Sequence, residues 1–404
     1  MSKNIYSHRI QTIEELIKPV SDFITDSQWA QRAGDPNVCD FALGNPHEQV
    51  LPAFVSALQR WSVPQNKDWF AYKGNEPEAQ AVIADALRAR RNLPFSPDDI
   101  FLTNGSFAAL SVALMTVTEP GDEVIFISPP WFFYEALITA VGATAVRVEA
   151  APDTLTLDPD AVAAAITPRT RAVIVNSPNN PTGKIYAPET LEHLAKILRQ
   201  GSERIGHTIY LLSDEAYSRI LYDGREFASP TAFYPNAFLI YTYGKTLLTP
   251  GQRLGYIALP PTMDESRREQ LRPAIYIAQF MMGYAFPNAL LQHALPEIEE
   301  LSIDVGRLQH KRDRLVAALR EMGYDARLPD ATFYVLVKSP LADDQAFIRL
   351  LAEHDIFCLP GTVIELPGYF RISLTATEEM IDRALPGFAA AMEQAQELSG
   401  RRRG

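Results

Sequence analysis

The sequence predicts an α/β protein, with a large domain built on a mostly parallel sheet between helices and a smaller α+β domain. Three observations carry this expectation. Short apolar, β-branched runs recur between longer stretches of helical spacing, which is the pattern of βαβ units. One run, Arg171–Ser177 (RAVIVNS), is almost continuously apolar, as in a strand covered on both faces. Beyond about residue 290 the alternation gives way to a long amphipathic stretch and to strands mixed with flanking helices.

The elements follow in order. Asp99–Leu102 is a short strand, followed by Thr103-Asn104-Gly105-Ser106 and an apolar helix over Phe107–Val117. Glu123–Ser128 (EVIFIS) is a strand bounded by Pro-Gly-Asp and Pro-Pro. Thr144–Glu149 (TAVRVE), Arg171–Ser177, Thr208–Ser213 (TIYLLS) and Ala237–Tyr243 (AFLIYTY) continue the series. The sheet is therefore expected across roughly residues 50 to 275. Ser302–Met322 reads as an amphipathic helix rich in Arg and Leu. Strands are expected at Thr332–Lys338 (TFYVLVK), Asp355–Leu359 and Tyr369–Leu374, with a closing helix from about Glu378 to Gln396. This divides the chain into an N-terminal arm with part of the small domain (1–45), a large domain (46–290) and a small C-terminal domain (291–404).

Composition narrows the function. With 404 residues, 47% hydrophobic and 21% charged, the chain is neither disordered, collagenous nor a coiled coil. A net charge of −12 gives no footprint for a nucleic-acid backbone. The basic Arg401-Arg402-Arg403 reads as a frayed end. Two cysteines, Cys39 and Cys358, cannot build a disulfide framework or a four-thiolate metal site. The polar N-terminus lacks a signal-peptide core, and no stretch of about 18 uncharged apolar residues appears, so a cytoplasmic protein without membrane contact is expected. The histidines are scattered without metal-ligand spacing. His47 follows Gly44-Asn45-Pro46 and reads as a loop residue.

In open parallel sheets ligands bind beyond the carboxyl ends of the strands, and four polar clusters fall there. Asn104-Gly105-Ser106 feeds a helix N-terminus, suited to an anion such as phosphate, although Asn-Gly-Ser is equally a turn with a helix cap. Asn179-Asn180-Pro181-Thr182-Gly183 is a turn with one asparagine more than a turn needs, which leaves a side-chain amide for a ligand. Asp214-Glu215-Ala216-Tyr217 follows a strand, where Asp214 could equally cap a helix. Tyr243-Gly244-Lys245 encloses a lysine among small and apolar neighbours, with Arg253 one loop further on. A lysine near an aspartate and phosphate-binding groups is what pyridoxal phosphate needs.

The set Asn180-Pro181-Thr182-Gly183, Asp214-x-x-Tyr217, and Lys245 with Gly251-x-Arg253-x-Gly255 resembles the fold type I pyridoxal-phosphate enzymes. The nearest resemblance is to the class I/II aminotransferases, with aspartate aminotransferase as archetype; it runs from Gly44-Asn45-Pro46 to Arg371. The resemblance implies that Lys245 binds the cofactor covalently and shuttles the α-proton, and that Asp214 pairs with the pyridinium nitrogen. It implies that Tyr217 and Asn180 hydrogen-bond the phenolic oxygen. Gly105, Ser106, Phe107, Thr242 and Arg253 are implied to hold the phosphate, and Trp131 to stack on the ring, while Phe132, Phe133 and Tyr134 read as core aromatics. Arg371, with Gly44 and Asn180, is implied to hold the substrate, its guanidinium gripping the α-carboxylate through a bidentate fork; the other reading of Arg371 is a surface salt bridge. A homodimer is implied, with amino and 2-oxo acids as substrates.

The chain departs from the family pattern in three places. Gly244 stands where serine is common. The partner-facing tyrosine is ambiguous between Phe70 and Tyr72, of which Tyr72 carries the hydroxyl. Ala331-Thr332 replaces the usual glycine before Phe333-Tyr334. Transamination is the leading expectation. A β-lyase, cyclase, decarboxylase or oxidase would share the same cofactor residues. An effector-sensing domain fused to a DNA-binding module would need an N-terminal helix-turn-helix of some 60 or more residues, whereas here the cofactor domain is expected from about residue 45 and the chain is acidic. The stretch Ala274–Asn288 has no arginine for a second carboxylate and is rich in Met, Phe and Tyr, which suits a neutral or aromatic substrate side chain or simple core packing.

Overall fold

The computed structural model describes residues 5–401; Met1–Asn4 and the Arg402 and Arg403 of the basic tail lie outside the described residues. Strand β1 (Cys39–Asp40) is only two residues long. Seven strands then build one sheet: β2 (Ile100–Thr103), β3 (Glu123–Ser128), β4 (Thr144–Glu149), β5 (Thr170–Asn176), β6 (Tyr210–Asp214), β7 (Ala237–Thr242) and β8 (Gly255–Ala258). Their order is β2-β8-β7-β6-β5-β3-β4, and every pairing is parallel except the two made by β8. This is the expected α/β architecture.

The period of two in these strands decides what each face buries. On β5, Ala172 and Ile174 join the core beneath the helices Gly105–Val117, Tyr134–Ala140 and Glu265–Met281. Val173 and Val175 point the other way, into the core formed with the helices Pro159–Ala165 and Pro188–Ile205. Both faces are covered, which is why this strand reads as a continuous apolar run. Each buried Val or Ile contributes about 1.5–3 kcal/mol. Strand β4, at the sheet edge, is mostly part-exposed and carries the polar alternation TAVRVE.

Toward the C-terminus lie β9 (Tyr334–Lys338), β10 (Ile356–Phe357), β11 (Leu359–Pro360) and β12 (Tyr369–Ser373). Antiparallel β11-β12-β9 is one sheet, and β10 pairs in parallel with β1, so Cys39 lies opposite Ile356. Phe333, Val335, Val337, Phe370 and Ile372 form the core here with the helices Val305–Glu321, Asp344–Glu353 and Glu378–Arg401.

Several boundaries differ from the sequence expectation. The main sheet spans 100–258, and the flanks of the expected 50–275 range are helices, Pro52–Trp61, Pro77–Arg91 and Glu265–Met281. The strand expected from Thr332 starts at Tyr334, because Thr332 has φ 70°, outside the extended region. The run 355–359 splits into β10 and β11, and Asp355 at its head has φ 59°. Strand β8 was not expected; its four residues are too short to show alternation. The polar N-terminus holds a helix, His8–Asp26, whose N-cap Ser7 hydroxyl accepts from the Ile10 N–H at 3.3 Å. Among the described residues no helix is long and apolar enough to cross a membrane.

β2, β3, β5, β6 and β7 point their carboxyl ends to one edge of the main sheet. There, Gly105 opens the helix Gly105–Val117 with φ 79°, and a Cβ on it would lie 2.6 Å from Arg253 Nη2. Across from it, a Cβ on Gly255 would lie 2.4 Å from the Tyr241 carbonyl oxygen and 2.9 Å from the Gly105 backbone. Glycine at both positions lets a helix N-terminus, a strand and a guanidinium meet without intervening side chains. Gly255→Ala must push β8 away from Gly105, so urea denaturation should show about 1–3 kcal/mol lost stability, the usual cost of overpacking. An unchanged midpoint would show that the strand shifts freely.

Candidate active site

Ser106, Phe107, Trp131, Asn180, Asp214, Tyr217, Thr242, Lys245 and Arg253 all line one cleft at that edge. Gly105 lies beneath the Arg253 guanidinium. Arg371 reaches the cleft through Asn180, and Gly44 packs against Tyr334, which underlies Arg371. Tyr72 is not brought to this cleft: it is 87% exposed and rests on Phe286, ring centres 4.8 Å apart. His47 lines a different cleft, with Trp29 and Arg383.

Each position follows from a strand end. Asp214 is the last residue of β6 and is buried. No helix follows it, so it caps none; its Oδ1 accepts from the Ala216 N–H at 3.2 Å in a tight turn, and its Oδ2 accepts from the Tyr134 hydroxyl at 2.6 Å. Burial pushes the Asp214 carboxyl upward, opposed by the Tyr134 and Ala216 hydrogen bonds and by the charge of Lys245, with a net rise. Lys245 sits in the short helix Tyr243–Thr246 after β7, its Nζ 5.8 Å from the Tyr217 ring centre and 5.9 Å from that of Phe333. Asn104 starts the helix Gly105–Val117 without a side-chain capping bond.

The two asparagines divide the work. Asn179 closes the turn, its Oδ1 accepting from the Thr182 N–H at 3.2 Å and the Thr182 hydroxyl at 2.8 Å. Asn180 is held through its own N–H, which donates to Asn176 Oδ1 at 2.8 Å, so its side chain is left to accept from Arg371 Nη1 at 2.9 Å. Arg371 Nη2 donates to the Ala42 carbonyl at 3.2 Å, and its Nε has no hydrogen-bond partner although buried. It is a buried group, not a surface ion pair. Burial pulls its guanidinium below its ordinary range, opposed by Tyr334 and Tyr217. Among the described residues, none of Lys245, Arg253 and Arg371 has an ion-pair partner.

Two tyrosines at the site escaped the sequence reading. Tyr134 is buried like the core aromatic it was expected to be, yet its hydroxyl serves Asp214. The available signal was chemical: a tyrosine ending an apolar aromatic run needs a partner for its hydroxyl. Tyr334 lies under Arg371, with the guanidinium carbon 3.8 Å from its ring centre. Burial alone would raise the Tyr334 hydroxyl, but Arg371, Lys245 and a hydrogen bond from Tyr217 outweigh it and the net shift is downward. Tyr217 moves the opposite way, pushed well up by burial and by Tyr334.

The family model "Aminotransferase class I and II" matches residues 36–388. The aspartate/prephenate aminotransferase of Thermus thermophilus is 33% identical over 352 residues, covering 85% of this chain and 88% of the relative. The aspartate aminotransferase of Thermotoga maritima is 29% identical, covering 87% and 88%. Among solved structures, an amino transferase from Eubacterium rectale superimposes with TM-score 0.84 at 30% identity, covering 97% of this chain and 96% of that one. The Thermus thermophilus aspartate aminotransferase with maleate gives TM-score 0.80 at 27% identity, covering 96% and 100%. The family model spans most of the chain and a relative shares a third of the aligned residues, so the chain belongs to the class I and II aminotransferases, enzymes of fold type I that carry out transamination.

Proposed function

We propose that the cleft holds pyridoxal 5′-phosphate and moves an amino group between an L-amino acid and a 2-oxo acid, in a site completed by a second copy of the chain. The observation that carries this is the convergence of one buried carboxylate, Asp214, with three cations that have no ion-pair partner among the described residues. The residues fit the cofactor. Arg253, the N-terminus of the helix Gly105–Val117 and the Ser106 and Thr242 hydroxyls suit its phosphate. Asp214 supplies a negative charge for the ring nitrogen, Tyr217 and Asn180 suit the phenolic oxygen, and Trp131 offers a ring to stack on. When bound, the cofactor supplies a sink for the electrons left at Cα. Lys245 Nζ takes the α-proton and returns it, and the Arg371 guanidinium, its Nε unpaired, holds the α-carboxylate.

The family relatives carry aspartate and prephenate in their names, but here each cleft cation already has a role. Together with the arginine-free stretch 274–288, this supports a neutral or aromatic side chain for the preferred amino acid. The second copy is supported by an exposed apolar patch in which Tyr72, Phe286, Phe280 and Tyr276 touch in sequence, with Ile277 and Met281 60% and 69% exposed beside them. Covering this patch would bring the Tyr72 hydroxyl toward the partner's phosphate site.

Lys245→Ala should abolish turnover with an unchanged circular-dichroism spectrum, and borohydride should fix the cofactor to the Lys245 peptide in the parent protein. Labelling of another lysine would refute the assignment. Light scattering should give a two-chain particle, and Tyr72→Phe should weaken cofactor affinity without dissociating it; a fully active single chain would refute the shared site.

Asp214→Asn separates stability from function. Removing the charge should slow turnover roughly a thousandfold, about 1.4 kcal/mol being tenfold. Because burial raises the folded-state carboxyl above its unfolded value, the folded state binds more protons through that window, and stability falls as pH rises through it. The cofactor-free variant should therefore melt above the parent at neutral pH, the difference closing below about pH 4, where both states are protonated. A parent that melts above the variant at pH 7 would contradict this.

A further inference from the structure

The register that brings Arg371 to the cleft also delivers Tyr334, since across β12 and β9 Ser373 lies opposite Tyr334 and Arg371 opposite Leu336. The guanidinium rests on the Tyr334 ring at 3.8 Å, within direct stacking range. Two devices fix that ring. A Cβ on Gly44 would lie 2.5 Å from the Tyr334 hydroxyl and 2.9 Å from Phe333 Cε2, so a glycine admits the tyrosine where a larger residue would displace it. Thr332, buried, adopts φ 70°, a conformation that is rare for a β-branched residue. It is pinned by its N–H to the Ile220 carbonyl at 3.0 Å, by its own carbonyl accepting from the Tyr222 hydroxyl, and by its Oγ1 accepting from the Tyr334 N–H at 3.1 Å. Strain that the surroundings over-determine is kept where a side chain must be aimed.

We infer that Tyr334 is a positioning residue for carboxylate recognition: its ring is the platform that pre-organises the Arg371 guanidinium for the substrate α-carboxylate. This rests on the reading of Arg371 given above. Asn180 and the Ala42 carbonyl engage Nη1 and Nη2 and the ring holds the plane, so the guanidinium is fixed without any anion to displace, its Nε left unpaired. Pre-organisation of this kind shows as affinity, because less side-chain freedom is lost on binding.

The test titrates propanoate, a carboxylate common to amino-acid skeletons but without a reacting amino group, into the holoenzyme by calorimetry. Tyr334→Leu should weaken propanoate on the order of tenfold and raise the amino-acid KM by a similar factor, a larger change than any in kcat. Tyr334→Phe, which keeps the ring, should restore both. If Leu disturbs folding, Tyr334→Met keeps a buried unbranched volume without the ring and serves the same comparison. Unchanged propanoate affinity without the ring overturns the platform, as does a Phe variant as weak as Leu. A parent enzyme blind to propanoate, with a KM insensitive to Arg371→Leu, overturns the reading of Arg371 itself.

Discussion

A guanidinium that is 2% exposed and has no carboxylate beside it is costly to bury, and the cleft is arranged around keeping Arg371 in that state. Three neutral groups lower the cost: the Asn180 side chain, the Ala42 carbonyl and the Tyr334 ring. They come from three distant parts of the sequence, so the fold must bring all of them together. β1 pairs with β10 and so draws the 39–42 segment against the C-terminal strands. The turn at Asn179–Gly183 docks on the loop before β9, where the Gly183 carbonyl accepts from the N–H groups of Asp330 and Ala331 at 3.0 and 3.1 Å. Close contact between the main sheet and the C-terminal strands is thus a requirement of one buried cation.

Charge distribution follows the same logic. The chain is acidic, with a net charge of −12, and among the described residues its other arginines are largely paired, as in Arg268 with Asp99 and the buried Arg312 with Asp223. The cations at the strand ends have no such partners. In a low-dielectric cleft, an unpaired positive charge attracts an anionic ligand far more strongly than one neutralised in advance.

Much of this was legible in the sequence, for identifiable reasons. Strands buried on both faces, such as Ala172–Val175, declare themselves because the solvent imposes no alternation on them. The extra asparagine at Asn180 was informative because a turn uses only one. Other features are tertiary and leave no periodic trace. β8 is four residues of ordinary composition that become a strand only because β2 and β7 flank it. Thr332 is left-handed because contacts from Ile220 and Tyr222 hold it there, against its own propensity. The split of 355–359 into two strands likewise depends on which partner each half meets. Tyr134 reads as a core aromatic and Tyr334 carries no assigned role in the sequence, because nothing near them reveals what their hydroxyls or faces touch.

Those two tyrosines show how the site reconciles burial with reactivity. Asp214 and Arg371 are both buried ions, and a counter-ion beside either would offset the desolvation most directly. It would also cancel the field that a ligand must feel. A tyrosine does neither to the full extent. The Tyr134 hydroxyl donates one hydrogen bond to Asp214 and leaves the carboxylate its net charge. The Tyr334 ring offers Arg371 a quadrupole in place of a carboxylate and leaves Nε unpaired. Each interaction recovers only part of the burial cost, consistent with Asp214 remaining shifted upward and Arg371 downward. On the proposed function, that residual instability is what a ligand would relieve: an anion at Arg371 and a cation at Asp214 would each complete a pair that the folded chain leaves open, so binding energy would be drawn from strain the protein already carries.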